Sequence, residues 1–136
     1  MEATATDSRT VSLTIPAKPD YVVLARLALS AVCRLAPLSP DDVADLKLAI
    51  TESATYLMGG ERRSVARDSD EPANTIGFTF ELGDDELRLI VRGEELPTVS
   101  AEERELSLAL IKATVDSQHY TSGEMTLTKR LDRPPE

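Results

Sequence analysis

One carboxylate sits where it could do chemistry. In L-K-L-A-I-T-E-S-A-T-Y-L-M, Leu46 to Met58, Glu52 is set among small and apolar residues. It is either a general base or a residue kept for solvation or a local hydrogen bond. Other reactive side chains are scarce. With one cysteine, Cys33, and one histidine, His119, the chain can build neither an internal disulfide nor a Cys/His zinc set. His119, in D-S-Q-H-Y, has no serine or cysteine motif to make it a triad base and reads as an exposed histidine at a helix end. Cys33 lies in an apolar stretch and reads as a small buried hydrophobe. The acidic run D-S-D-E around Asp70 lacks the glycine and the spacing of a calcium loop. No metal site is expected.

The elements that must position Glu52 belong to one domain of 136 residues, 41% apolar and 29% charged, the composition of a globular fold. A net charge of −9 repels a polyphosphate backbone, which argues against nucleic acid as a partner. No apolar run approaches the roughly 20 residues of a membrane span, and M-E-A-T-A-T-D-S-R-T lacks the regions of a signal peptide. The expected location is the cytoplasm, with no membrane partner.

In V-S-L-T-I-P, Val11, Leu13 and Ile15 alternate with Ser12 and Thr14, the period of a half-buried strand that Pro16 stops. Residues 1–10 and 132–136 are expected to be disordered tails. A helix runs from Asp20 to about Leu35, almost wholly apolar except for Arg26, Ser30 and Arg34. These three recur every fourth residue and form one stripe, either a solvated face or a partner contact. Ser39, Pro40, Asp41 and Asp42 make a strong start for a second helix, through a cap, a favoured first position and acidic charge at the positive end of the dipole. That helix should end at Gly59-Gly60. Residues 60–74 are polar and aperiodic, as in a mobile loop.

T-I-G-F-T-F-E-L and E-L-R-L-I-V-R read as strands joined by a turn at Gly83 to Asp85. A third helix is expected from about Ala101 to Ser117, followed after Gly123 by a last strand, E-M-T-L-T-K-R-L. The order strand, helix, helix, strand, strand, helix, strand predicts an α+β two-layer sandwich, a mainly antiparallel sheet with its helices on one face.

On a wheel, Val43, Leu46, Ile50, Ala54 and Leu57 form the sheet-facing side of the second helix. Glu52 falls opposite, with Leu48, Ala49 and Tyr56 around it, so a ligand, a loop or another chain is expected to cover that side. The third helix is apolar on two sides, Leu106, Ala109, Leu110 and Ala113 against Leu108, Ile111 and Val115. This implies a close neighbouring helix or a partner surface.

Four stretches carry a family resemblance: I-P-A-K-P-D-Y-V-V-L-A-R-L-A-L, D-L-K-L-A-I-T-E-S-A-T, L-I-K-A-T-V-D and T-L-T-K-R-L. In this order and spacing they resemble the anti-sigma-factor serine-protein kinases of the GHKL, histidine-kinase-like ATPase superfamily, from about Val11 to Leu131. The resemblance implies the GHKL ATPase fold. It also implies an ATP motif E-x-x-x-N in the second helix, a D-x-G-x-G motif after a strand, and a G-x-G-L motif before the last helix.

This chain departs from each motif. The glutamate position is Glu52, but the Mg²⁺-binding asparagine is replaced by Tyr56, whose neutral phenol is a poor metal ligand. The adenine-binding aspartate becomes Gly93, and the glycines that follow become Glu95 and Pro97. In E-L-S-L, Glu105 and Ser107 stand where glycines would let backbone amides reach phosphate, and Glu105 would repel phosphate charge. A base without metal, adenine anchor or phosphate loop has nothing to act on. Glu52 is thus expected to be vestigial and the chain to be a pseudokinase, with ATP and Mg²⁺ as cofactors only if other residues compensate.

The function implied is that of a bacterial anti-sigma factor. It would sequester an alternative sigma factor of RNA polymerase in a stress response and be released by a STAS-type anti-anti-sigma protein. Homodimerisation is common in the resembled family. The alternatives are an active ATP-dependent serine kinase of the anti-anti-sigma factor and a scaffold that binds only the antagonist domain. Arg26 stands where the resembled kinases carry a partner-contacting arginine, which makes Arg26, Ser30 and Arg34 the candidate partner-binding residues.

Overall fold

A computed structural model describes residues 9–58, 75–93, 101–121 and 123–131. Strand β1 (Arg9–Pro16) is followed by a 3-10 turn (Pro19–Tyr21) and helices α1 (Val22–Cys33) and α2 (Pro40–Leu57). Then come β2 (Thr75–Leu82), β3 (Glu86–Arg92), α3 (Ala101–Lys112), β4 (Ser117–Thr121) and β5 (Glu124–Arg130). The five strands form one antiparallel sheet in the order β1-β2-β3-β5-β4. This is the expected α+β sandwich with one strand more than the alternation reveals.

Strand register accounts for the two faces. Ile15, Ile76, Phe78, Phe80, Leu87, Leu89, Val91, Met125 and Leu127 alternate along paired strands and are all buried, so they form the side on which the helices lie. The opposite face carries Ser12, Thr79, Thr126 and Thr128. Exposed ion pairs also lie there, Arg88 with Glu81 and Glu86 at 3.3 and 2.9 Å and Arg92 with Glu124 at 3.3 Å, each adding little stability. Strand β1 begins at Arg9, opposite Leu82, two residues before the sequence alternation starts. The turn at Gly83 is closed by the Gly83 amide donating to the Glu86 carbonyl at 3.0 Å.

Helix α2 starts as its sequence dictates: the Asp42 amide donates to Ser39 Oγ at 3.1 Å, with Pro40 and the two aspartates in the first turn. Its N-terminus is also tied to the sheet, where Lys129 Nζ lies 3.4 Å from Asp42 Oδ1 and donates to the Thr114 carbonyl at 3.4 Å. The helix ends at Leu57, with Met58 as its C-cap. The expected stop at residues 59–60 and the loop at 60–74 lie outside the described residues, as do residues 1–8 and 132–136 of the expected tails, whereas Arg9 and Thr10, expected in the N-terminal tail 1–10, belong to β1.

Two expectations are corrected. The third helix stops at Lys112 instead of continuing to Ser117. The Thr114 hydroxyl donates to the Ile111 carbonyl at 2.7 Å and the Arg130 amide donates to Asp116 at 2.5 Å, so the chain turns and enters β4. His119 is therefore not at a helix end but in an edge strand, exposed, with Nε2 2.9 Å from Thr121 Oγ1. Five residues were too short a signal beside a longer helical pattern.

Loss of the Ser39 cap is expected to leave one donor of α2 unsatisfied. Ser39→Ala should lower stability by about 1 kcal/mol, read from the urea midpoint at unchanged slope.

Candidate functional site

The second helix is buried over a wider arc than its wheel suggests. Leu46, Ala49, Ile50, Ser53, Ala54, Tyr56 and Leu57 are all buried. Ala49 and Tyr56, expected on the covered outward side with Glu52, belong to the core instead, Tyr56 with 9% of its surface exposed. The cause is position: α2 packs on the sheet and is flanked by both α1 and α3, so a helix read as two-sided has a third side occupied. What covers it is the chain itself. Glu52 is left half-buried at the rim of that arc, and Leu48, 42% exposed, lies beyond it.

Tyr56 meets Tyr120 of β4 edge to face, ring centroids 5.3 Å apart at 88°, a favoured aromatic geometry. A buried phenol ring thus fills the place the resemblance assigns to a Mg²⁺-binding amide. Gly93, at the adenine-anchor position, is equally committed. A Cβ added there would come within 3.1 Å of Leu57 Cβ, 3.5 Å of the Leu57 carbonyl oxygen and 3.8 Å of Ile76 Cδ1. The end of β3 lies against the last turn of α2, and the glycine at 93 leaves that contact uncrowded. An aspartate there would point a charge into apolar surroundings.

Two glycines complete the arrangement. The Gly93 amide donates to the Gly123 carbonyl at 2.8 Å, and the Gly123 amide donates to the Tyr120 hydroxyl at 3.3 Å. Gly123 has φ 83°, a left-handed conformation that favours glycine. The role of Tyr120 was missed because Q-H-Y-T carries no motif. Its signal was a β-propensity aromatic close behind a helix, next to a glycine.

The remaining positions are spread out. Glu105 and Ser107 both lie within α3, Glu105 exposed and Ser107 half-buried. The stretch matched to a phosphate loop is therefore regular helix, whose internal amides are engaged in its own hydrogen bonds. Glu95 and Pro97 lie outside the described residues. The described positions that the resemblance assigns to metal, adenine and phosphate thus offer a phenol for an amide, a glycine for an aspartate, and Glu105 and Ser107 for glycines. Among the described residues, no group of three or more His, Cys, Asp or Glu could hold a metal ion. Cys33 is buried, and desolvation pushes its thiol up to about 11, which makes it a poor nucleophile at neutral pH.

On α1, Arg26 and Arg34 are exposed and Ser30 is half-buried. Their stripe is not the only outward surface, because Val23, Leu24, Leu27 and Leu35 are exposed as well, Leu27 by 61%. The helix is therefore not covered around the stripe, as its composition implied. On α3, Ile111 is buried and Leu108 packs against the core, as does Val115 just past the helix end, while Leu106 is 63% exposed. One of its two apolar sides is therefore explained by the neighbouring helix α2, and the other faces outward.

No protein-family model matches the chain. Among curated proteins, the serine-protein kinase RsbW of Bacillus licheniformis is 29% identical over 144 aligned residues, covering 90% of this chain and 86% of that protein. RsbW of Halalkalibacterium halodurans is 29% identical over 82 residues, 60% of this chain and 46% of the relative. RsbW of Staphylococcus epidermidis is 31% identical over 81 residues, 60% and 48%. In these last two the match spans about half the length of the relative. A crystal structure of the RsbU and RsbW domains of a Mycobacterium tuberculosis protein superposes with a TM-score of 0.61 at 20% identity, over 93% of this chain and 33% of that one. That likeness bears on fold alone, and it is the fold derived above. No described helix is long and apolar enough to cross a membrane. In sequence the chain is similar to RsbW serine-protein kinases, and its fold is that of an RsbW domain.

Proposed function

We propose that this chain is an anti-sigma factor that works by binding alone. It sequesters an alternative sigma factor of bacterial RNA polymerase in the cytoplasm, is released by a STAS-type anti-anti-sigma protein, and does not phosphorylate that protein. The observation that carries the reading is the burial of Tyr56 against Tyr120. Phosphoryl transfer is almost entirely positioning and electrostatic stabilisation around a metal-bound nucleotide, and the ring stands where the metal ligand would be.

Gly93 supports the same reading independently, because a side chain there would be crowded by Leu57. Glu52 is then a rim carboxylate without a reaction. The partner surface proposed is the outward side of α1. Its exposed Val23, Leu24 and Leu27 surround Arg26 and supply apolar area next to a guanidinium that can pair with a carboxylate. The kinase named in the relatives is the competing reading, and nucleotide titration separates the two.

By isothermal calorimetry, the purified chain should give no saturable heat with Mg-ATP at micromolar concentration. Tyr56→Asn alone should not create binding. Saturable binding that Glu52→Ala abolishes would restore the kinase reading. Gly93→Asp should fail to create binding too, and it should cost about 1–3 kcal/mol of stability through overpacking, measured by chemical denaturation.

For the partner surface, Arg26→Glu is expected to weaken sigma-factor binding by about 2 kcal/mol or more, and Arg34→Glu by less. Circular dichroism should show both folded. Wild-type affinity in a folded Arg26→Glu would remove this helix side from the interface.

A further inference from the structure

The two substituted positions Tyr56 and Gly93 are joined to each other through a closed circuit of contacts. Tyr56, in the last turn of α2, stacks edge to face on Tyr120 of β4. The Tyr120 hydroxyl accepts from the Gly123 amide at 3.3 Å, in the turn between β4 and β5. The Gly123 carbonyl accepts from the Gly93 amide at 2.8 Å, just past the end of β3. Gly93 in turn lies close to Leu57, the residue after Tyr56, where an added Cβ would come within 3.1 Å of Leu57 Cβ. The circuit runs from α2 through β4, the β4–β5 turn and β3 back to α2. Each member uses a property specific to it: two aromatic rings, a positive φ at Gly123 and a missing Cβ at Gly93.

From this circuit we infer a built-in latch: the Tyr56–Tyr120–Gly123–Gly93 ring fastens the β4 edge strand and its helix α3 to α2 from within the chain, so that this region is held without any small-molecule ligand. Strand β4 needs such a fastening. It is an edge strand of five residues, paired on one side only, to β5, and α3 before it buries Ile111 while leaving Leu106 exposed. Short edge elements with few buried contacts belong to the low-stability end of a fold. An aromatic pair whose polar end is engaged by the β4–β5 turn closes that end.

The inference rests on the proposed reading of positions 56 and 93 as a site that has lost its nucleotide contacts, and it adds what has replaced them. It concerns the chain alone, so its test uses neither nucleotide nor partner and can fail while the binding proposals stand.

The test is native-state hydrogen exchange of the full chain as wild type, Tyr120→Ala, Tyr56→Ala, the double variant and Tyr120→Phe. Tyr120→Ala is expected to raise the opening constant of amides in residues 103–121 about tenfold or more, with those of β1 and β2 changed less than twofold. The double variant should open no more than the worse single variant, since the two residues act as one unit. Tyr120→Phe, which keeps the ring and removes the acceptor for Gly123, should fold and raise local opening by a smaller factor. It serves as the deciding variant if either alanine change prevents folding. A uniform rise in exchange across the sheet, multiplicative effects of the two alanine changes, or wild-type exchange in Tyr120→Phe would each overturn the latch.

Discussion

The closeness of α2 to the end of β3 is the constraint on which the rest of the structure turns. With only hydrogen at Gly93, the last turn of α2 comes down onto the sheet, which brings Leu57 against β3 and leaves Tyr56 facing β4. A Cβ at 93 would require Leu57 to give way by a few tenths of an ångström. A packed interior absorbs such a shift poorly. At its other end α2 is fixed by the Ser39 cap and by Lys129 near Asp42. The helix is thus held at both ends, and its middle, with Leu46, Ala49 and Ile50 wholly buried, has one position available.

That seating explains why α2 is so broadly buried. A helix on a sheet normally keeps an outer half for water, and the wheel of α2 assumes this. Here α1 and α3 flank it, so small residues on its sides, Ala49, Ser53 and Ala54, are as buried as the leucines beneath. Small side chains let neighbouring helices come close. The Ser53 hydroxyl donates to the Ala49 carbonyl at 2.8 Å, which satisfies a polar group that would be costly to bury alone.

Periodicity made the architecture readable: alternation gave β2, β3 and β5, and the Ser39-Pro40 start gave α2. It could not give β4, because five residues directly after a helix carry too little alternation to separate from the helical pattern before them. Motif comparison located Tyr56 and Gly93 as departures from the resembled motifs but could say nothing of what they contact. Their contacts are with Tyr120 and Gly123, 64 and 30 residues distant in sequence. Contacts of that separation leave no local trace in one chain. The outward side of α1 was half legible, since the arginine spacing was visible, whereas the exposure of Leu24 and Leu27 beside it is decided by tertiary packing.

The latch also bears on how such a chain can change over generations. Tyr56, Gly93, Tyr120 and Gly123 are each favoured by the presence of the others, so replacing one strains the remaining three before any new property arises. An asparagine at 56 leaves Tyr120 without its ring partner, and an aspartate at 93 meets Leu57. Stepwise reversal must therefore pass through less stable intermediates. Among descendants of this chain, the four residues should be inherited together or exchanged together.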